Sequence, residues 1–150
     1  MTVTKRSALV GNALAMDERQ YREVIALSSG STAITVSTGW SGKMIIVPGF
    51  TSGALLTLPA VGDGLNFEFY HVGGTASGVV TYAAAATGTI VCYGDAAADS
   101  ITIGKATGAP SIGGSVRFVC DGTYWYTIMQ PAFSSAAPTS ATMTEYAIVS

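Results

Sequence analysis

From Thr32 to Met129 the chain is a succession of short runs in which apolar and polar side chains alternate, each run stopped by glycine, proline, serine or aspartate. Period-two alternation of this kind marks a half-buried strand. It predicts strands at Ala33–Ser37, Lys43–Val47, Ala54–Leu58, Asn66–Val72, Val79–Ala83, Thr89–Tyr93 and Ser100–Ile103. In the Asn66–Val72 run, Phe67 and Phe69 fall on one face and Glu68 and Tyr70 on the other. Pro48-Gly49, Pro59, Gly62-Asp63-Gly64, Gly73-Gly74, Gly94-Asp95 and Gly113-Gly114 supply the corners. Turn signals every roughly 8–12 residues point to an all-β sandwich or barrel. The expected fold is therefore a single antiparallel, jelly-roll-like domain. No long helical period follows residue 30, which argues against βαβ units. The likeness between the runs near residues 90 and 102 is strand punctuation and not a solenoid repeat.

The strongest local signal is Ser115–Met129, two runs of β-branched and aromatic residues joined at Asp121-Gly122. Such a dipeptide between alternating runs is a hairpin signal, because glycine reaches φ > 0 without a Cβ clash. A two-residue turn sets Phe118 against Trp125; a longer loop with a bulge at Gly122 sets Phe118 against Tyr126. Either pairing joins two aromatics on one face, worth about 0.5–1 kcal/mol beyond area burial.

Both ends differ from the middle. Residues 1–29 are expected to form an arm, residues 30–130 the β body, and residues 131–150 an extended tail. Two readings of the arm's end compete: a short helix over Glu18–Leu27 capped by Asp17, or a strand at Tyr21–Leu27. Ala132–Thr142 is too poor in large residues to build a core, whereas Tyr146–Val149 regains strand character. A free strand edge pairs with strangers, so that last strand should dock on its own body or on a neighbour.

Composition sharpens the picture. The chain is 49% hydrophobic and only 11% charged over 150 residues. Yet Gly, Ser and Thr interrupt every apolar run, which excludes a membrane-spanning helix. Surface this apolar is most cheaply hidden in an oligomer. Seven of the charged residues crowd into the first 23 positions, Lys5, Arg6, Arg19 and Arg22 among them, and net charge is −2. No basic stripe is present to neutralise phosphates, so direct nucleic-acid binding is not expected. Lys5-Arg6 and the following Ser7–Ala15 mimic a secretion signal, but Gly11 and Asn12 break the apolar stretch, and it reads as part of the arm.

Candidate chemistry is sparse. His71, the sole histidine, ends a strand, where a partly exposed sheet residue is the ordinary reading. Cys92 and Cys120 lie within apolar alternation, where a buried reduced pair is commoner than a disulfide. One histidine and two distant cysteines make neither a catalytic pair nor a tetrahedral metal site. Asp95 and Asp99 read as turn formers, Glu68 as a solvated residue, and the glycines as corners and not a phosphate cradle. Trp40, Tyr124, Trp125 and Tyr126 suit a sugar-stacking platform less well than core or interface packing. No enzyme, cofactor, metal site or small-molecule ligand is expected.

The order of wording then carries a resemblance. Leu56-Thr57-Leu58-Pro59 is followed by Phe67-Glu68-Phe69, by Thr89-Ile90-Val91, and by Gly114-Ser-Val-Arg-Phe-Val-Cys-Asp-Gly-Thr-Tyr-Trp125. Over residues 54–130 this resembles the capsid decoration (cement) proteins of tailed bacteriophages, with similar wording in phage tail-fibre domains. The resemblance implies a homotrimer with a β-sandwich or barrel body. It also implies a seat on the virion's outer capsid surface, clamping neighbouring major capsid protein subunits, after assembly in the host cytoplasm. The alternative it leaves is a head- or tail-fibre knob that binds a host receptor or glycan. Expected contacts to partners fall on the arm and tail: Lys5, Arg6, Arg19, Tyr21, Arg22, Tyr146 and Ile148. The expected structural hairpin comprises Phe118, Asp121, Gly122, Trp125 and Tyr126.

Overall fold

A computed structural model of the chain describes residues 23–72, 79–92, 94–103, 113–130 and 146–149. The strands are β1 Val24–Ala26, β2 Ala33–Thr35, β3 Met44–Val47, β4 Ala54–Thr57, β5 Asp63–His71 and β6 Val80–Ala83. They continue with β7 Ile90–Cys92, β8 Asp95–Ala98, β9 Ser100–Ile103, β10 Ser115–Asp121, β11 Trp125–Gln130 and β12 Tyr146–Val149. Among the described residues the only helical element is a 3₁₀ turn at Thr38–Trp40, capped by the Ser37 side chain. The all-β expectation holds.

Two sheets share one core. The larger runs β1-β3-β5-β10-β11-β7-β8 and the smaller β12-β9-β6-β4-β2. The first six strands alternate between them, so β1, β3 and β5 lie side by side in parallel, as do β2, β4 and β6. Parallel neighbours need a long crossover. Here each crossover contains a strand of the opposite sheet.

With β7 also parallel to β11, the ladders are of mixed orientation and not antiparallel throughout. The reason is physical: burial alternates with period two in either orientation, and a glycine corner does not reveal whether the chain returns to its own sheet or passes to the other.

At the arm's end the strand displaces the helix. Ile25 packs on the core while Val24 and Ala26 face out, and β1 bonds along β3 through Met44 N–H to Glu23 O and Leu27 N–H to Ile46 O. Two adjacent β-branched residues favour that outcome. Residues 1–22 and 131–145 lie outside the described residues. β12 docks on β9 of the same chain, with Tyr146 opposite Ile103 and Ile148 opposite Ile101.

The hairpin forms, but in neither expected register. Phe118 sits opposite Thr127, and Cys120 opposite Trp125. The turn is centred on Gly122-Thr123, one residue beyond Asp-Gly, with Gly122 at φ 95° in the first central position, where a II′ turn needs a positive φ. The Asp121 carboxylate causes the shift by accepting the backbone N–H groups of Thr123 and Tyr124, each at 2.8 Å. Trp125 therefore meets Phe67, at 5.6 Å between ring centres, and not Phe118. Tyr82 reaches from the smaller sheet to Phe69 at 4.8 Å and Phe118 at 5.5 Å, which joins the two layers through aromatic contacts.

Candidate interaction face

The register sorts the outward side chains of the larger sheet into rows across the strands. In one row Val24 stands beside Met44, Met44 beside Glu68, Glu68 beside Arg117, and Arg117 beside Ile128. A second row runs Ala26, Ile46, Tyr70, Ser115, and a third Asn66, Val119, Tyr126, Val91. Their chain neighbours Ile45, Phe67, Phe69, Val116 and Phe118 fill the core, so the rows face away from it.

A sheet face turned to water normally carries polar residues. This one carries Val24, Tyr126 and Ile128, at 54%, 44% and 65% exposure. Exposed apolar surface rimmed by polar groups marks a contact site, and tyrosine, methionine and arginine are enriched at such sites. Glu68 and Arg117, directly opposite in the ladder, place one acid and one base inside this apolar field. Just before β1 and β3 begin, the Lys43 ammonium meets the Glu23 carboxylate at 2.8 Å.

The hairpin tip fixes one aromatic of this face. The Tyr126 hydroxyl donates to Asp121 Oδ2 at 2.9 Å. The N–H groups of Tyr124 and Thr123, and then this hydroxyl, hold the Asp121 carboxyl below its usual range. The same bond pushes the Tyr126 hydroxyl up. Beside Tyr126 an open groove of about 400 Å³ is lined also by Val91, Asp95 and Thr127.

The metal-ligating, thiol and imidazole side chains of the described residues have settings of their own. No cluster of metal-ligating side chains is present there. Both thiols are free and buried. Burial, then the neighbouring Asp95 charge, pushes the Cys92 thiol up, away from the reactive thiolate.

Cys120 accepts the Gly62 and Gly122 N–H groups at 3.3 and 3.4 Å, a structural role at the base of the turn. Asp99 accepts the Gly88 N–H and Asp95 the Ala97 N–H, as turn formers do. His71 corrects the expectation of partial exposure: it is 1% exposed and hydrogen-bonded through Nε2 to the Tyr82 hydroxyl at 2.9 Å. Burial lowers its pKa to about 4, so it is neutral at pH 7.

Of the hairpin residues, Phe118 and Trp125 are core, Asp121 and Gly122 make the turn, and Tyr126 stands on the outer face. Lys5, Arg6, Arg19, Tyr21 and Arg22 lie outside the described residues. Tyr146 and Ile148 belong to β12. Sequence reasoning missed the row from Val24 to Ile128. Its signal was present in the unbroken run Met44–Val47 and in Tyr124–Met129, both apolar at outward as well as inward positions. No protein-family model and no curated protein matches the chain.

Proposed function

We propose that the chain is a structural protein of a tailed-bacteriophage virion, a decoration protein. In this reading it sits as a homotrimer on the outside of the capsid and stabilises the shell by clamping neighbouring major capsid protein subunits. The observation that carries the reading is the apolar outer face of the seven-stranded sheet, which suits a chain whose work is to be covered. The wording of residues 54–130 supplies the identity of the assembly. Its Phe-x-Phe provides the inward aromatics of β5, its Asp-Gly the hairpin turn, and its Trp the residue that packs on Phe67. Clamping gains strength by multivalency, with several modest contacts per trimer held at high effective concentration.

The fibre-knob alternative draws on Tyr124 and Tyr126, exposed aromatics beside Asp121, of the kind on which sugar rings stack. Density maps of phage particles with and without the protein decide between them. Mass on the shell lattice, together with greater resistance of the loaded particle to heat, is the expected result. Mass at a fibre tip, or none on the particle, overturns the decoration reading. Removing residues 1–22, which leaves β1 in place, should leave the body folded yet abolish attachment; full attachment by this chain rules the arm out as the clamp.

A further inference from the structure

The first six strands wind as a coil. β1 and β2 make its first winding, β3 and β4 the second, β5 and β6 the third. Inward side chains line up from winding to winding, Ile25 beside Ile45 beside Phe69 in the larger sheet and Ile34 beside Leu56 beside Tyr82 in the smaller. In the second and third windings these residues are fully buried, whereas Ile25 and Ile34 are half-buried. The core is thus open at the first winding. Among the described residues β1 and β2 each have a strand on one side only. Their three-residue sequences, Val-Ile-Ala and Ala-Ile-Thr, carry neither the charge nor the proline that guards a free edge.

We infer that the chain before β1 closes this end with one more winding: residues 2–4 lie parallel beside β1 and residues 9–11 beside β2, with Val3 on Ile25 and Val10 on Ile34. The spacing argues the occupant. Paired residues are 20 and then 24 positions apart from β1 to β3 to β5, and 22 and then 26 from β2 to β4 to β6. At each step the smaller sheet's interval is longer by two. Stepping back from Ile25 by 22 and from Ile34 by 24 reaches Val3 and Val10, apolar at both inward places. Steps of 20 and 22 would bring Lys5 and Asn12 inward, and steps of 21 and 23 Thr4 and Gly11. Thr2 and Thr4 flank Val3 with the β-branched residues that suit a strand, and Gly11-Asn12 ends the second run. Joined to β1 itself, this segment meets the edge at the high effective concentration of a tethered strand, ahead of a strand from another molecule. The inference goes beyond the decoration reading and does not rest on it.

The test reads amide hydrogen exchange in the full chain. Glu23 O and Leu27 N–H bond to β3, so the N–H groups of Val24 and Ala26 point the other way. Thr32 O and Val36 N–H bond to β4, which turns those of Ala33 and Thr35 outward likewise. With the added winding these four amides enter ladders and should exchange nearly as slowly as those of Ile25 and Ile34. Val3→Asp should remove the protection at Val24 and Ala26, and Val10→Asp that at Ala33 and Thr35. Leu9→Asp should leave all four protected, because Leu9, though larger than Val10, falls on the outward parity. Protected amides in β10 and β11 check that each variant is folded. Free exchange at the four positions in the wild type overturns the inference, and so does an equal effect of Leu9→Asp and Val10→Asp.

A cross-link identifies whose chain fills the edge. In this register Thr2 stands beside Val24, about 4.8 Å away across neighbouring strands, a separation that a disulfide spans. The chain with both Thr2→Cys and Val24→Cys, oxidised and run on a denaturing gel, should link within itself and migrate as a single copy. A band of two chains would assign the segment to a neighbour's edge, and no link would deny the register; either overturns the inference. Particle attachment is scored separately and bears on the decoration reading alone.

Discussion

His71 shows how a single residue can set the conditions under which the body is stable. Its imidazole is buried between the sheets against the Tyr82 hydroxyl, and burial holds its pKa at about 4 against 6.5 for a free histidine. The unfolded chain thus binds a proton in a range where the folded chain does not. Stability from this group is complete above pH 6.5 and is lost as pH falls through that value towards 4.

The loss amounts to about 3 kcal/mol, because a tenfold difference in proton affinity between the folded and unfolded chains is worth about 1.36 kcal/mol. Urea unfolding between pH 7.5 and 4 should show that slope in the wild type, and His71→Gln should flatten it. Equal slopes in the two chains would mean that other groups govern the acid limb. At Trp125 the prediction concerns volume. The indole is fully buried against Phe67, so Trp125→Ala should cost about 3–5 kcal/mol. Trp125→Phe should cost clearly less, because the indole N–H has no partner to lose. Chemical denaturation separates the two, and equal losses would refute the packing account.

At the scale of elements, the hairpin turn depends on Gly122. A Cβ there would meet Asp63 at no closer than 3.6 Å, which is ordinary contact, so space is not the constraint. The constraint is φ of 95°, which an L side chain adopts only with strain. Gly122→Ala should therefore destabilise by about 1–2 kcal/mol without changing the register, as a lower urea midpoint with an unchanged far-UV spectrum would record.

The same element shows what the chain's pattern reveals and what it hides. Alternation located β3 to β7 and β9 to within a few residues, because each has one face in the core and period two is a local property. It overlooked β8, since Asp95-Ala-Ala-Ala has no β-branched residue and is held in place by β7. It misplaced the hairpin pairing by the reach of one carboxylate. Strand orientation was illegible, because crossing to the opposite sheet and turning back use the same glycine and proline corners. The outward row was legible only in part. Apolar residues at both parities of Met44–Val47 announce a second apolar face, but the placing of Glu68 beside Arg117 and of Arg117 beside Ile128 needs the register of three strands.

Over the whole molecule, edges decide behaviour as much as faces do. The smaller sheet ends at β12, whose pairing closes the edge of β9, where Ile101 and Ile103 are fully buried. Removing residues 131–150 strips that strand and leaves four residues of β9 with an unpaired row of backbone groups. An open edge is a template for any extended chain. The truncated protein should still form the hairpin and the larger sheet, since neither contains β12. It should also aggregate on warming, with the onset falling as concentration rises. A synthetic peptide spanning residues 143–150, added in excess, should suppress this by restoring the missing ladder in trans. Light scattering during a thermal ramp, with and without peptide, makes the measurement. Undiminished aggregation with peptide present would place the weak point elsewhere than at β9. Suppression would show that the terminal strand, which here pairs with β9 of its own chain, can also be supplied by another molecule.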